Sequence, residues 1–525
     1  MGKKLGHGSE CPTKALFMKK LLSILWCAWM ATASAASVFA QSVPPEYDGM
    51  YFPGQAIPKE FFGMTSNRTY PIQVTYGQWR GWDAAGWPTI ETSQGTFDWS
   101  GLDGELAAIR QQGIQNVLFT LSRTPRWAVN LNSEPTGQRG TDCNFYLQGR
   151  QQPGDQPGQC LVPVDLNADG SGTNKMWKDW VTAIATHVKN LDPAKYAHIR
   201  WWEPWNEFHR STTLASPAYS GHLSFEGTFA QMVRLTEDAR CIITGKGVIH
   251  NNGIKATPTP CNLTAIDPTA MISSPSGGLT KVARGVVQNF LYCNASPPTG
   301  SQCPKGSTAG SNAVDGINYH MYAMTTTPEE NFTTRLPAAT TDILHAVDLS
   351  KPLINGEGSW GDVSKPAVIW QDPYAQAGFI PRFFALYAAA GVNLNYWYAY
   401  DEAPSGSGGL FDDNTNKLVH PQSDAWQQTT SWLVGSVPVN QDFCENTRTV
   451  YTCDMIRSNG EAVELVWDSK YGQNCSQMAS PIICGSTAYT VPTKYNGGWI
   501  DLMGRVWPHQ NTVTIGANPI LLQSQ

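Results

Sequence analysis

The chain has 525 residues, with 36 Lys and Arg against 42 Asp and Glu, a net charge of −6. Charged residues are only 15% of the chain and hydrophobic ones 41%, which excludes wholesale disorder. The mild acidity lacks the basic footprint of a nucleic-acid binder.

Lys19 and Lys20 precede an apolar run, Leu21 to Met30, and then small residues. That order is the n-, h- and cleavage regions of a signal peptide. Val38 and Ala40 fit a cut before Gln41, Ala33 and Ala35 offer a second site, and Met18 is an alternative start. The run is short of the roughly 20 apolar residues a membrane span needs. A secreted or periplasmic protein, free of the membrane once residues 1–40 are removed, is therefore expected. Twelve Cys less Cys11 and Cys27 leaves ten, in close neighbours: Cys143 and Cys160, Cys241 and Cys261, Cys293 and Cys303, Cys444 and Cys453, Cys475 and Cys484. Five local disulfides are the simplest pairing, although sequence does not fix connectivity. A zinc site is the rival, but no CxxC pair or Cys/His cluster occurs.

Short apolar runs then alternate with helical patterns. Strands are expected at Phe61–Thr65, Ile72–Arg80, Asn116–Leu121, His198–Pro204, Ala270–Ser274, Gly316–Tyr322, Pro352–Glu357 and Val392–Tyr398. Helices are expected at Leu102–Gln112, Lys175–Leu191, Thr228–Ile243, Leu279–Tyr292, Ala338–Val347, Ala375–Ala390 and Ala425–Val434. Read as eight strand–helix units, these predict an α/β fold, a (β/α)₈ TIM barrel over residues 41–436. A long loop from Arg123 to Asn174 would wall one side of its mouth. Residues 437–525 carry no good helical pattern. Strands at Ala462–Trp467, Ala488–Val491, Trp499–Leu502 and Thr512–Ile515 predict a small all-β sandwich, either packing beside the barrel or binding carbohydrate.

Chemistry in such a barrel sits at the C-terminal strand ends. The fourth strand ends in Trp201-Trp202-Glu203-Pro204-Trp205-Asn206-Glu207, the seventh in Ile354-Asn355-Gly356-Glu357-Gly358. Two carboxylates at strand ends are the parts of glycoside hydrolysis: one protonates the leaving oxygen, the other attacks the anomeric carbon. Burial and the neighbouring negative charge would raise the pKa of the acid. The 20 Trp and 19 Tyr are either core or stacking faces for sugar rings. No Walker A, HExxH or GxSxG motif occurs, so no cofactor is expected. Asp412-Asp413-Asn414 does not match a calcium loop and reads as a solvated turn.

These motifs resemble clan A glycoside hydrolases, and most closely family 39, the family of β-xylosidases, α-iduronidases and bacterial exopolysaccharide hydrolases. The resemblance implies an accessory β-domain, Glu207 as acid/base and Glu357 as nucleophile. It implies that Asn206 bonds the sugar 2-hydroxyl, that Tyr322 of His320-Met321-Tyr322 bonds the nucleophile, and that His320 lines the site. Trp397 would be the platform under the reacting sugar, Arg80 the arginine that holds the nucleophile ionised, and Trp127, in Thr124-Pro125-Arg126-Trp127-Ala128, a ring at the cleft. The family's acid/base Glu is followed by Pro. Here Phe208 follows Glu207 and Pro204 lies upstream, which leaves Glu203 as a competitor; Asn206 favours Glu207. The expected activity is retaining hydrolysis of a β-linked oligo- or polysaccharide. The alternatives are a non-catalytic carbohydrate-binding barrel, an inverting hydrolase or transglycosylase, and an adhesion module acting through residues 437–525.

Overall fold

Eight parallel strands make a barrel: β1 (Phe62–Met64), β2 (Gln78–Gly81), β3 (Asn116–Thr120), β4 (His198–Glu203), β5 (Met271–Ile272, resumed at Gly277–Gly278), β6 (Ile317–His320), β7 (Leu353–Gly358) and β8 (Val392–Trp397). The computed structural model describes residues 45–525 apart from 68–70, 82–85, 132–142, 144–157, 219–222, 252–255, 260, 293–309, 347–350, 405, 441–442, 473–474 and 476–480. The expected leader at 1–40, the Cys293 and Cys303 pair and much of the loop at 123–174 lie outside the described residues.

The strands pair in chain order, and β8 returns to β1 with Phe62 opposite Asn395 and Met64 opposite Trp397. The ring is completed through β5. Met271 and Ile272 pair with Trp201 and Trp202 of β4, Ser273 bridges to Gly316, and Gly277 and Gly278 pair with Tyr319 and His320 of β6. β7 and β8 are buried along their whole length, as expected where helices cover the outer face of a parallel sheet.

Seven helices follow β2 to β8 in turn: α1 (Ser100–Gln111), α2 (Lys175–Lys189), α3 (Phe229–Thr244), α4 (Lys281–Tyr292), α5 (Leu336–Ala346), α6 (Pro373–Ala389) and α7 (Gln422–Leu433). The expected stripe of α2, Trp177, Trp180, Val181, Ile184 and Val188, is its buried face. A Thr228–Gln231 capping box opens α3, and Gly245 closes it at φ +66°, a left-handed conformation that glycine adopts readily.

One expectation fails near the start, in the second strand. No helix was expected between β1 and β2, and none occurs there among the described residues. The second strand is shorter than its apolar pattern implies, because side chains take the backbone donors that a neighbouring strand would need. The N–H groups of Ile72, Gln73 and Thr75 donate to Gln112 Oε1, Tyr400 OH and Gln427 Oε1.

After α7 the chain forms an antiparallel sheet of β9 (Val437–Pro438), β10 (Cys444–Thr447), β11 (Val450–Ile456), β12 (Ala462–Asp468), β14 (Gly498–Ile500), β15 (Val506–Trp507) and β17 (Ile520–Gln523), with a ribbon of β13 (Thr487–Thr490) and β16 (Thr512–Ile515). Alternation along β12 divides its two faces. Val463, Leu465 and Trp467 join the core shared with the barrel helices. Val466 joins a second core with Val491, Trp499, Val513 and Ile520. At the seam Arg382 of α6 makes two 2.7 Å bonds to Glu329, which also accepts Trp467 Nε1 at 2.7 Å. Disulfides join Cys143 to Cys160, Cys241 to Cys261, Cys444 to Cys453 and Cys475 to Cys484.

Candidate active site

An eight-stranded barrel is only wide enough for side chains to fill it, so residues ending opposite strands meet at its mouth. There the structure brings together Arg80 from the end of β2, Asn206 and Glu207 beyond β4, His320 and Tyr322 at β6, and Glu357 near the end of β7. A cavity of about 640 Å³ opens over them, also lined by Arg123, His209, Arg210, Tyr398 and Glu402. Its aromatic walls are Tyr and His, with no Trp among the lining residues.

Glu357 is held from two sides. Arg80 Nη1 donates to its Oε1 at 2.6 Å and Tyr322 OH to its Oε2 at 2.8 Å. Gly356 allows this approach, since a Cβ there would sit 2.4 Å from Asn318 Oδ1 on β6. Burial and the Glu357 charge push the Tyr322 hydroxyl well above its ordinary range, so it stays a donor.

Arg80 is fully buried and also binds Glu203, with Nη2 at 2.8 Å and Nε at 3.3 Å. Burial alone would lower its pKa; Glu203 and Glu357 outweigh that and raise it. Glu203 accepts Thr120 Oγ1 at 2.6 Å as well and is fully buried. Of the two candidates at the end of β4 and beyond it, Glu207 faces the cavity and Glu203 anchors the arginine.

Asn206 Oδ1 accepts Arg80 Nη2 at 2.8 Å and Ser276 Oγ at 3.4 Å. Its Nδ2 is thus the group left to donate to a ligand. The chain then turns sharply: Glu207 has φ +46°, and its N–H donates to Ser276 Oγ at 2.9 Å. A left-handed conformation costs a non-glycine residue about 1–2 kcal/mol, and here it accompanies a side chain that faces the mouth. Glu207 Oε2 pairs with Arg210 Nε at 2.8 Å and Oε1 lies 3.1 Å from His320 Nδ1, which is also 3.3 Å from Glu357 Oε2. One oxygen of Glu207 and one of Glu357 lie within 4.8 Å of each other.

The expected raised pKa of Glu207 is corrected. Burial does push it up, but Arg210, followed by His320, overrides burial and holds the carboxyl well below its usual range. Burial pushes His209 down to about 4, so it is neutral near pH 7.

Two expected aromatic positions lie elsewhere. Trp397 is fully buried between β8 and the helices, against Phe379, Phe383, Phe384 and Trp426, with Nε1 donating to Gly408 O at 2.7 Å. Strand parity is the reason: the Tyr396 hydroxyl bonds Gln78 Oε1 on β2 inside the barrel, so the next side chain points outward. Tyr398 lines the cavity instead. Trp127 packs edge-on to Trp87 and donates to Glu91 O at 3.0 Å, lining a separate recess with Phe97 and Met176. Asp412 makes a local turn, accepting Asn414 N–H and Thr415 Oγ1.

Sequence reasoning missed Arg210, Thr120, Ser276, Tyr398 and Glu402. Arg210 stands three residues after Glu207, a spacing that brings side chains together within one turn. Thr120 pairs in register with Glu203 across β3 and β4.

Neither a family model nor a curated protein matches the sequence. Solved structures do. A family 39 glycoside hydrolase from the gut symbiont Bacteroides cellulosilyticus is 14% identical, with a TM-score of 0.56 over 89% of this chain and 81% of that one. A glucosidase from Croceicoccus marinus is 11% identical, with a TM-score of 0.51 over 91% and 98%. At these identities the likeness is one of fold, and it agrees with the expected (β/α)₈ barrel.

Proposed function

We propose that the chain is an exported retaining glycoside hydrolase acting on a β-linked oligo- or polysaccharide, with Glu357 as nucleophile and Glu207 as acid/base. The observation that carries this reading is the approach of one Glu207 oxygen to within 4.8 Å of one Glu357 oxygen. Retaining enzymes hold their carboxyl groups about 5–5.5 Å apart, whereas inverting ones need about 6.5–9.5 Å to admit a water. Four local disulfides support export.

In the first step a Glu357 oxygen attacks the anomeric carbon while protonated Glu207 gives its proton to the departing oxygen. The product is a glycosyl ester on Glu357. Glu207, now a carboxylate, takes a proton from water, whose oxygen attacks the same carbon and releases Glu357. Arg80 and Tyr322 hold the attacking carboxylate and receive its charge when the ester breaks. Asn206 Nδ2 is placed to donate to a sugar hydroxyl beside the reacting carbon.

The test is sugar release from a panel of aryl glycosides and polysaccharides, with Glu357→Gln as control. Release by the wild type and a loss of about 10⁴-fold or more in the variant are expected. Equal release from both would remove Glu357 from the nucleophile role; binding of a glycan without turnover by either would favour a binding protein.

A further inference from the structure

The expected Pro after the acid/base Glu is replaced here by Phe208-His209-Arg210. Arg210 turns back onto Glu207, its Nε 2.8 Å from Oε2. The backbone favours this return: Glu207 is left-handed, and Arg210 N–H donates to Glu207 O at 2.9 Å, closing a tight turn. The turn is fixed from outside, because Arg210 O accepts Ser224 N–H at 2.9 Å and Phe208 packs edge-on to Phe290 of α4. The Arg210 side chain is 30% exposed and lines the cavity. It is thus a cation on the wall of the site, bound to one of the two carboxylates, while Arg80 serves the other.

We propose that Arg210 is a positioning residue for the reaction: it fixes one oxygen of the Glu207 carboxylate, so that the other, beside His320, is the one presented to the scissile bond, and it sets the pH above which turnover stops. This rests on Glu207 being the acid/base.

The reasoning is electrostatic. Glu207 must carry a proton when substrate arrives, and a cation in direct contact favours the carboxylate. The charged or titratable groups facing Glu207 are His209 and Arg210 from its own turn, His320 and Tyr322 from the end of β6, and Glu357 from β7. Ser276, between the two halves of β5, contributes only a neutral hydroxyl. His209 is held neutral, and Tyr322 stays protonated. Arg210 is the one group of this set that is cationic at every working pH. It therefore lowers the pH range over which Glu207 keeps its proton.

The experiment is the pH profile of kcat/KM for the full-length mature protein and for Arg210→Met, Arg210→Lys and Glu207→Gln, on a substrate that the wild type turns over, with melting curves to establish folding. Arg210→Met is expected to move the alkaline limb up by about one to three pH units, the effect of removing an opposite charge in contact, and to leave the acid limb in place. Arg210→Lys, which keeps the charge, should stay near the wild-type limb. An alkaline limb unmoved in folded, active Arg210→Met would overturn the proposal, as would a limb moved equally in Arg210→Lys. Should Arg210→Met not fold, Arg210→Gln takes its place with the same expectation. The underlying reading fails separately, through Glu207→Gln: full activity in that variant would remove Glu207 from the acid/base role whatever Arg210 does.

Discussion

Two buried clusters of charge in this molecule use the same residue types in different ways. At the seam between α6 and the C-terminal sheet, both Glu329 oxygens are taken, by the Arg382 fork and by Trp467 Nε1. At the barrel mouth, Arg80 divides its donors among Glu203, Glu357 and Asn206, and both Glu207 and Glu357 border an open cavity. Direct pairing dominates in both: Arg382 lowers the pKa of Glu329 against its burial, as Arg210 does for Glu207. The difference lies in access. A carboxylate shared between a helix arginine and a strand tryptophan holds the fold together, while one that borders a cavity is available to a reacting atom.

That contrast can be broken by mutation. The largest effect belongs to the mouth: Glu357→Gln should reduce turnover by about 10⁴-fold or more, with a melting temperature close to the wild type. Glu207→Gln should cost about 10²–10⁴-fold, the usual worth of general acid–base catalysis. At the seam the expectation reverses. Glu329→Gln strands a buried guanidinium and should cost about 3–5 kcal/mol in denaturant unfolding, while protein that remains folded keeps its kcat/KM. Equal stability loss at both places, or equal activity loss, would erase the distinction.

Trp397 offers a finer test. As packing behind β8, Trp397→Phe should lose about 1–3 kcal/mol of stability and leave KM for substrate within about threefold. A large rise in KM with unchanged stability would return Trp397 to the sugar.

The smallest expected effect is in the C-terminal sheet. Glu464, opposite Asp454 in register, accepts Tyr489 OH at 2.7 Å, and burial pushes its pKa up to about 7. A folded pKa raised above the unfolded value means stability that is full below about pH 4.5 and lost as pH rises through about 7. Melting temperature should therefore fall across that window, and Glu464→Gln should flatten the fall. An unchanged slope in the variant would assign it to another group, Glu105 first, which burial also raises to about 7.

Much of the barrel is legible in the sequence because buried parallel strands read as short apolar runs and α2 and α3 carry clear stripes. The carboxylate positions are legible because strand ends are where such a barrel places its chemistry. Contacts made across the mouth are not. Nothing in the local pattern tells that Arg80 spans from Glu203 to Glu357, or that Arg210 folds back onto Glu207. Trp397 misleads because one residue of strand parity separates cavity from core, and an apolar ring suits both. The wealth of Trp is mostly interior: Trp79, Trp87, Trp177, Trp180, Trp202 and Trp205 are among those fully buried.

Double displacement at the barrel mouth needs both Glu357 and Glu207, one oxygen of each within 4.8 Å of the other. Proton NMR of the first sugar released by the wild-type enzyme, recorded before mutarotation, tests it most directly. Double displacement leaves the new reducing end with the anomeric configuration of the substrate; the opposite configuration would mean that water attacks directly, and would contradict Glu357 as the nucleophile.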